Sequence, residues 1–198
     1  MSTAETASNS ESANKGFDNN GQYSRKSILR YEKIFGDGYI STGGHDTTLY
    51  LASKIPFALK SGSRILDVGS GIGGAAFFLA RQYGADVTGI DLAEEMDGIA
   101  RERIKAAGVG DSVRFILGDV LEENFPNPFD VIWSRDALMH VHDKPRLFQR
   151  LHDLLDENGT LIVTDYARGE GERAPEFEAY ITKTGYHVVS PRQYGQLL

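Results

Sequence analysis

The sequence predicts an α/β domain built on a doubly wound, mostly parallel sheet, and three observations carry that prediction. Short aliphatic runs alternate with segments of helical periodicity from residue 64 onward. The first run, Arg64-Ile-Leu-Asp-Val68, leads directly into Gly69-Ser-Gly-Ile-Gly-Gly74 and then the apolar helix start Ala75-Ala-Phe-Phe-Leu-Ala80. The next run, Asp86-Val-Thr-Gly-Ile-Asp91, ends on an acid. A strand, a tight glycine turn and a helix N-terminus form a corner that suits a nucleotide, and a carboxylate closing the neighbouring strand can accept from both hydroxyls of a ribose.

The elements follow in order. Residues 1–20 are rich in Ser, Asn and Glu and poor in apolar side chains, so they are expected to be a disordered tail ahead of one domain over residues 21–198. Ser27-Ile-Leu-Arg-Tyr-Glu-Lys-Ile34 has apolar residues at helical spacing and is expected to cap the site. Strands are then predicted at 64–68, 86–90, 113–117, 129–133 and 159–165, with helices at 73–83, 93–107 and 144–156 between them. Ser190-Pro-Arg-Gln-Tyr194 reads as one more helix start.

Composition narrows the function. Hydrophobic residues at 40% suffice for a packed interior, and the lack of cysteine excludes disulfides, thiolate metal sites and thiol nucleophiles. The net charge of -7, with acids and bases interspersed, offers no basic stripe to a nucleic acid. No apolar run approaches the roughly 18 residues of a membrane span, so a cytoplasmic protein, taken to be a monomer, is expected. His45, His142, His152 and His187 lack metal-ligand spacing and read as surface or loop residues, and no metal is expected.

The glycine loop fits two patterns. Gly69-x-Gly71-x-x-Gly74 is a dinucleotide fingerprint, which keeps a nicotinamide-dependent oxidoreductase open. With Asp67 included, Asp67-x-Gly69-x-Gly71-x-Gly73 resembles the first motif of class I S-adenosylmethionine-dependent methyltransferases. Asp67 favours the second, because a carboxylate at the loop's rim repels a pyrophosphate but can orient the cationic aminoacyl end of S-adenosylmethionine. Gly118-Asp119-Val120, after the strand Val113-Arg-Phe-Ile-Leu117, stands where such enzymes place the acid that meets the adenine amino group.

A more specific resemblance runs from residue 20 to 198. Asn20-Gly-Gln-Tyr23, Tyr31-Glu-Lys-Ile-Phe-Gly-Asp-Gly-Tyr-Ile-Ser-Thr-Gly-Gly44, Trp133-Ser-Arg-Asp-Ala-Leu-Met-His140 and Thr164-Asp-Tyr166 resemble the phosphoethanolamine N-methyltransferases. The resemblance implies that Ile40, Ser41, Gly69, Asp91, Leu92, Asp119, Val120 and Arg135 meet S-adenosylmethionine, with Asp67 and Gly71 from the loop. It makes Tyr23 and His140 a catalytic pair and places Gln22, Tyr31, Asp136, Tyr166, Tyr180 and Tyr186 around a small phosphorylated amine. Methyl transfer to an amine is an in-line displacement, so alignment and exclusion of water matter more than nucleophilic catalysis. An ammonium near a lysine-like pKa of about 10 lies several units above an ordinary histidine near 6.5, so His140 alone is a poor base. Asp136 is therefore assigned to holding the ammonium, and His140 with Tyr23 to closing the site and relaying the proton.

Two departures bear on the acceptor. Thr184 stands where the family has a phosphate-gripping arginine, for which Lys183, Arg168 or His187 could substitute, and the family's C-terminal region with its phosphate-binding lysine does not follow. The usual closing pair of strands is also not in the sequence, so the domain is expected to be incomplete at its C-terminal side. Another small amine as acceptor, or a cofactor-binding module without turnover, remain as alternatives.

Overall fold

The computed structural model describes residues 22–198, and the tail predicted over residues 1–20 lies outside them. The chain runs α1 (Arg25–Phe35), α2 (Gly44–Ala52), β1 (Arg64–Val68), α3 (Gly74–Tyr83), β2 (Asp86–Asp91), α4 (Glu94–Ala107), β3 (Val113–Leu117), β4 (Phe129–Arg135), a 3-10 turn (Leu138–His140), α5 (Lys144–Leu154), β5 (Leu155–Thr164), α6 (Pro175–Thr184) and α7 (Pro191–Leu197). The five strands are all parallel, in the order β3-β2-β1-β4-β5. The order reverses between β1 and β4, and right-handed crossovers then put α3 and α4 on one face and α5 on the other. Ligands of such sheets bind beyond the carboxyl ends of the strands at that reversal.

Strand alternation sorts the two cores. Ile65 pairs with Val131 and Asp67 with Trp133, so these four side chains share the α3 face. Ile65, Val131 and Trp133 pack there with Phe77, Leu79 and Ala100, while Leu66, Val68 and Ile132 meet Leu147, Phe148 and Leu151 of α5 on the opposite face. Because Arg135 lies two residues beyond Trp133, Asp67, Trp133 and Arg135 emerge together on one face at the functional end of the sheet.

The N-terminal helix docks from the side. Ile28 is fully buried against Ile72, Met96 and Ile99, and the Glu32 carboxylate accepts from Arg103 Nη1 and Nη2 at 2.5 and 3.0 Å. Those bonds hold the Glu32 carboxyl below its ordinary range. The same carboxylate accepts from the Gly38 N–H at 2.7 Å and so fixes the start of the Tyr39–Gly44 segment.

Strand β4, predicted over 129–133, runs on to Arg135, β2 runs one residue further to Asp91, α3 and α4 each start one residue later, and the largest differences fall around β5. The helix predicted over 144–156 ends at Leu154, and the strand predicted over 159–165 spans Leu155–Thr164, because Leu155 already pairs with Phe129 before the register shifts to Val131 with Thr160. Helices α2 and α6 are additions to the predicted elements. Among the described residues no helix is long and apolar enough to cross a membrane.

Candidate active site

The glycine loop forms the floor. Gly69 has φ +72°, and a Cβ there would sit 2.2 Å from that of Ala137, so the loop and the segment after β4 touch at backbone range. A Cβ on Gly74 would lie 2.1 Å from the Gly38 carbonyl oxygen, which brings the Tyr39–Ser41 segment over the loop. Asp91 accepts from the N–H groups of Gly71 at 2.8 Å and Ala93 at 2.9 Å, which ties the end of β2 to the loop. Burial nevertheless pushes its carboxyl up to about 6.

Three neighbouring spaces that share lining residues surround this floor. A long cleft is lined by Gly69, Asp91, Leu92, Asp119, Val120 and Arg135 and passes under Tyr23, Asp136 and His140. A small recess of about 30 Å³ opens beside it, lined by Ile40, Ser41, Asp67, Gly71, Trp133 and Arg135. A cavity of about 290 Å³ lies beyond Tyr23 and Asp136 and is walled by Tyr31, Phe35, Tyr166, Phe177, Tyr180 and Tyr186. Tyr23 and Asp136 line both the cleft and the cavity.

The small recess fits the tail of an amino acid. Asp67 is 2% exposed, and its Oδ2 has no hydrogen-bond partner. Burial first, then the Asp91 charge, pushes the Asp67 carboxyl up to about 7. Arg135 is 7% exposed, and its Nη1 donates to Gly44 O at 2.9 Å and Thr48 Oγ1 at 2.7 Å, its Nη2 to Thr42 O at 2.6 Å. Its Nε is buried without a partner, as is Trp133 Nε1. An unpaired anion beside unpaired cationic and neutral donors suits an ammonium and a carboxylate carried by one ligand. The guanidinium bonds also explain why Tyr39-Ile-Ser-Thr-Gly-Gly44 and Ser134-Arg-Asp136 occur together: Arg135 seats one motif on the other.

The roof is a chain of aromatic and polar contacts. Tyr23 Oη lies 2.7 Å from His140 Nε2, with the rings edge to face at 5.7 Å between centroids. Gln22 Nε2 donates to Tyr186 Oη at 2.6 Å, and the Tyr186 ring meets those of His140 and Tyr180 edge to face. Burial, then the Lys144 charge, lowers His140 to about 4, so its imidazole is neutral, while burial raises the Tyr23 phenol. Asp136 has φ +52°, the left-handed region that few non-glycine residues adopt. It is held there by its N–H on Thr164 O at 2.8 Å and by Thr164 Oγ1 donating to its Oδ1 at 3.0 Å.

The site residues expected from sequence thus gather at one place. Tyr166 and Tyr180 remain about half exposed on the outer wall. Thr184 is not among the residues lining the cavity, since its hydroxyl turns back to Tyr180 O at 2.9 Å and Ile181 O at 3.2 Å. Of its suggested substitutes, Arg168 is engaged with Gln193 Oε1 at 2.8 Å. Met96, Ala93, Leu138 and Val141 line the cleft, and Phe35, Phe177, Ile181 and Val188 line the cavity, beyond what the sequence suggested. Phe35 and Leu138 stand inside the quoted motif segments, and helical spacing could have found Met96, Phe177 and Ile181, whereas Ala93, Val141 and Val188 lie outside the helices and carried no signal.

Fold, reversal point and loop define a class I methyltransferase fold. Residues 65–159 match the family described as a methyltransferase domain. Phosphoethanolamine N-methyltransferase 3 of Arabidopsis thaliana is 43% identical over 183 residues, covering 92% of this chain and 36% of its own. The Plasmodium falciparum phosphoethanolamine N-methyltransferase is 36% identical over 190 residues, covering 94% of this chain and 70% of its own. The Haemonchus contortus phosphoethanolamine N-methyltransferase 2, solved with phosphomonomethylethanolamine and S-adenosylhomocysteine, superposes with a TM-score of 0.87 at 33% identity, over 93% of this chain and 43% of that one. The chain therefore belongs to the phosphoethanolamine N-methyltransferase family. It spans about a third of the length of the plant relatives.

Proposed function

We propose that this chain binds S-adenosylmethionine in the cleft and its side recess and transfers the methyl group to the amine of phosphoethanolamine, towards phosphocholine. The observation that carries this reading is the meeting of two spaces at Tyr23 and Asp136, one suited to a nucleoside with a zwitterionic tail and the other walled by aromatic rings. Asp91 would hold the ribose, Asp119 the adenine, Asp67 the ammonium and Arg135 the carboxylate. When bound, the cofactor supplies an electrophilic methyl carried on a sulfonium.

The chain's own groups align and dry the site. The carboxylate of Asp136 attracts the acceptor's ammonium, and the rings of Tyr31, Tyr166, Tyr180 and Tyr186 offer faces to a cation and its methyl groups. The nitrogen must lose its proton before its lone pair forms the new bond. With His140 near 4 and an amine near 10, transfer of that proton to His140 is uphill by roughly 8 kcal/mol. His140 is thus not the thermodynamic base. Its neutral ring hydrogen-bonds the Tyr23 hydroxyl and closes the site, while the amine sheds its proton to water before closure. The dry pocket then favours the neutral amine.

His140→Ala tests the division of roles. Turnover should fall about tenfold or more, from lost closure of the site, with S-adenosylhomocysteine affinity held within about twofold. An unchanged rate and pH profile in that variant would remove His140 from the chemistry.

A further inference from the structure

Beneath the His140 turn lies a buried cation that the reaction described above does not use. Lys144 is the first residue of α5 and only 4% exposed. Both facts are unfavourable in themselves, because a lysine at a helix N-terminus opposes the helix dipole and a buried ammonium forfeits its hydration. The placement is explained by what its Nζ reaches, namely the carbonyl oxygens of Leu138 at 2.5 Å and Val141 at 2.8 Å. Leu138 opens the 3-10 turn that carries His140, Val141 follows it, and both line the cleft.

The rest of the turn is fastened by other elements. His140 N–H donates to Ala137 O at 3.1 Å, and the His187 N–H to Met139 O at 2.7 Å. The Asp165 carboxylate takes the Met139 N–H and the Tyr194 hydroxyl, and its charge acts on Lys144. The His187 link also anchors the residue next to Tyr186, so the turn and the aromatic roof are joined through the backbone. Facing the imidazole are Tyr23 from the N-terminal segment, Tyr186 and His187 from the segment after α6, and Lys144 from α5.

We infer that Lys144 is a positioning residue for His140: its ammonium clamps the two carbonyls of the turn, sets the ring opposite Tyr23 and places a positive charge behind it. The clamp fixes where the ring sits. The charge keeps the ring neutral, in line with the lowered titration of His140, to which Lys144 is the second contributor after burial. The role of His140 in turnover rests on the proposed methyl transfer, whereas its titration can be read without any acceptor.

The test compares Lys144→Met and Lys144→Gln with the unsubstituted chain, following imidazole signals by NMR across the pH range and assigning His140 by the signal lost in His140→Gln. In the unsubstituted chain the His140 midpoint should lie near 4. Both substitutions should raise it by about one unit or more, because both remove the charge. In parallel, kcat for methyl transfer should fall about tenfold in Lys144→Met with the acceptor KM within about twofold, and Lys144→Gln should recover part of it, having one amide N–H for a carbonyl. If Lys144→Met does not fold, the Lys144→Gln titration decides. A His140 midpoint unmoved in a folded Lys144 variant overturns the inference. A chain without methyl transfer whose His140 midpoint still shifts overturns the proposed reaction and leaves the positioning role standing.

Discussion

At the scale of single residues, the site depends on polar atoms buried in advance of a ligand. Asp67 carries its cost in the protein alone: with the carboxyl raised to about 7, the proton it holds stabilises the fold at low pH, and that contribution is lost as pH rises through about 7. In the proposed complex ligand binding runs the other way, since only the ionised form of Asp67 would pair with an ammonium. The affinity for S-adenosylhomocysteine is therefore predicted to rise between pH 6 and 8, as calorimetry would show. Asp67→Asn should flatten this dependence, weaken binding by about ten- to a hundredfold from loss of a charge-assisted bond worth roughly 1.5–3 kcal/mol, and raise the thermal midpoint above pH 7. An equally steep profile in the variant would place the titrating group elsewhere. Tyr23→Phe removes one hydroxyl and keeps the ring. It should leave cofactor affinity unchanged and lower kcat, because the phenol contacts His140 across the cleft.

At the scale of elements, Arg135 is the joint between the sheet and the segment that covers the loop. Its three bonds to Thr42, Gly44 and Thr48 hold α2 and the Ile40–Ser41 wall to β4. Arg135→Met should destabilise the protein by about 2–4 kcal/mol, since several buried acceptors lose a charged donor at once. Hydrogen exchange should quicken over residues 39–48 and little in α5. Helix α6 walls the cavity proposed for the acceptor. It has no buried residue, presents Phe177, Tyr180 and Ile181 to the cavity, and ends at Thr184. Thr184→Arg should tighten binding of a phosphorylated amine by about tenfold or more, as a guanidinium replaces a hydroxyl spent on its own helix. The affinity of the unphosphorylated amine should not follow, and equal gains for both would show that the new side chain does not meet the phosphate.

At the scale of the whole molecule, the parts legible in the sequence were those with local causes. The strands and α3–α5 follow from hydrophobic period, and the loop from its glycines. Asp91, Arg135 and Asp136 converge because they stand at strand ends on the reversal side of the sheet, while Tyr23, Tyr31, His140 and Tyr180 are brought to them by the N-terminal segment, α1, the 3-10 turn and α6. Helix α2 was not legible, since Gly43-Gly44 reads as a turn and the helix is held by a distant guanidinium. Nor was α6, whose apolar side faces a cavity and buries nothing. The early end of α5 was set by the pairing of Leu155 with Phe129, a long-range contact. The low basicity of His140 was equally out of reach, because burial and a lysine beneath the turn produce it.

The most direct measurement of the central claim is methyl transfer by this chain from labelled S-adenosylmethionine to phosphoethanolamine, ethanolamine and glycine in parallel, with products identified by mass. Methylated phosphoethanolamine is expected as the dominant product, lost in Asp136→Asn at unchanged S-adenosylhomocysteine affinity. Normal S-adenosylhomocysteine binding with no methylated phosphoethanolamine, or transfer to glycine or ethanolamine in its place, would contradict the claim.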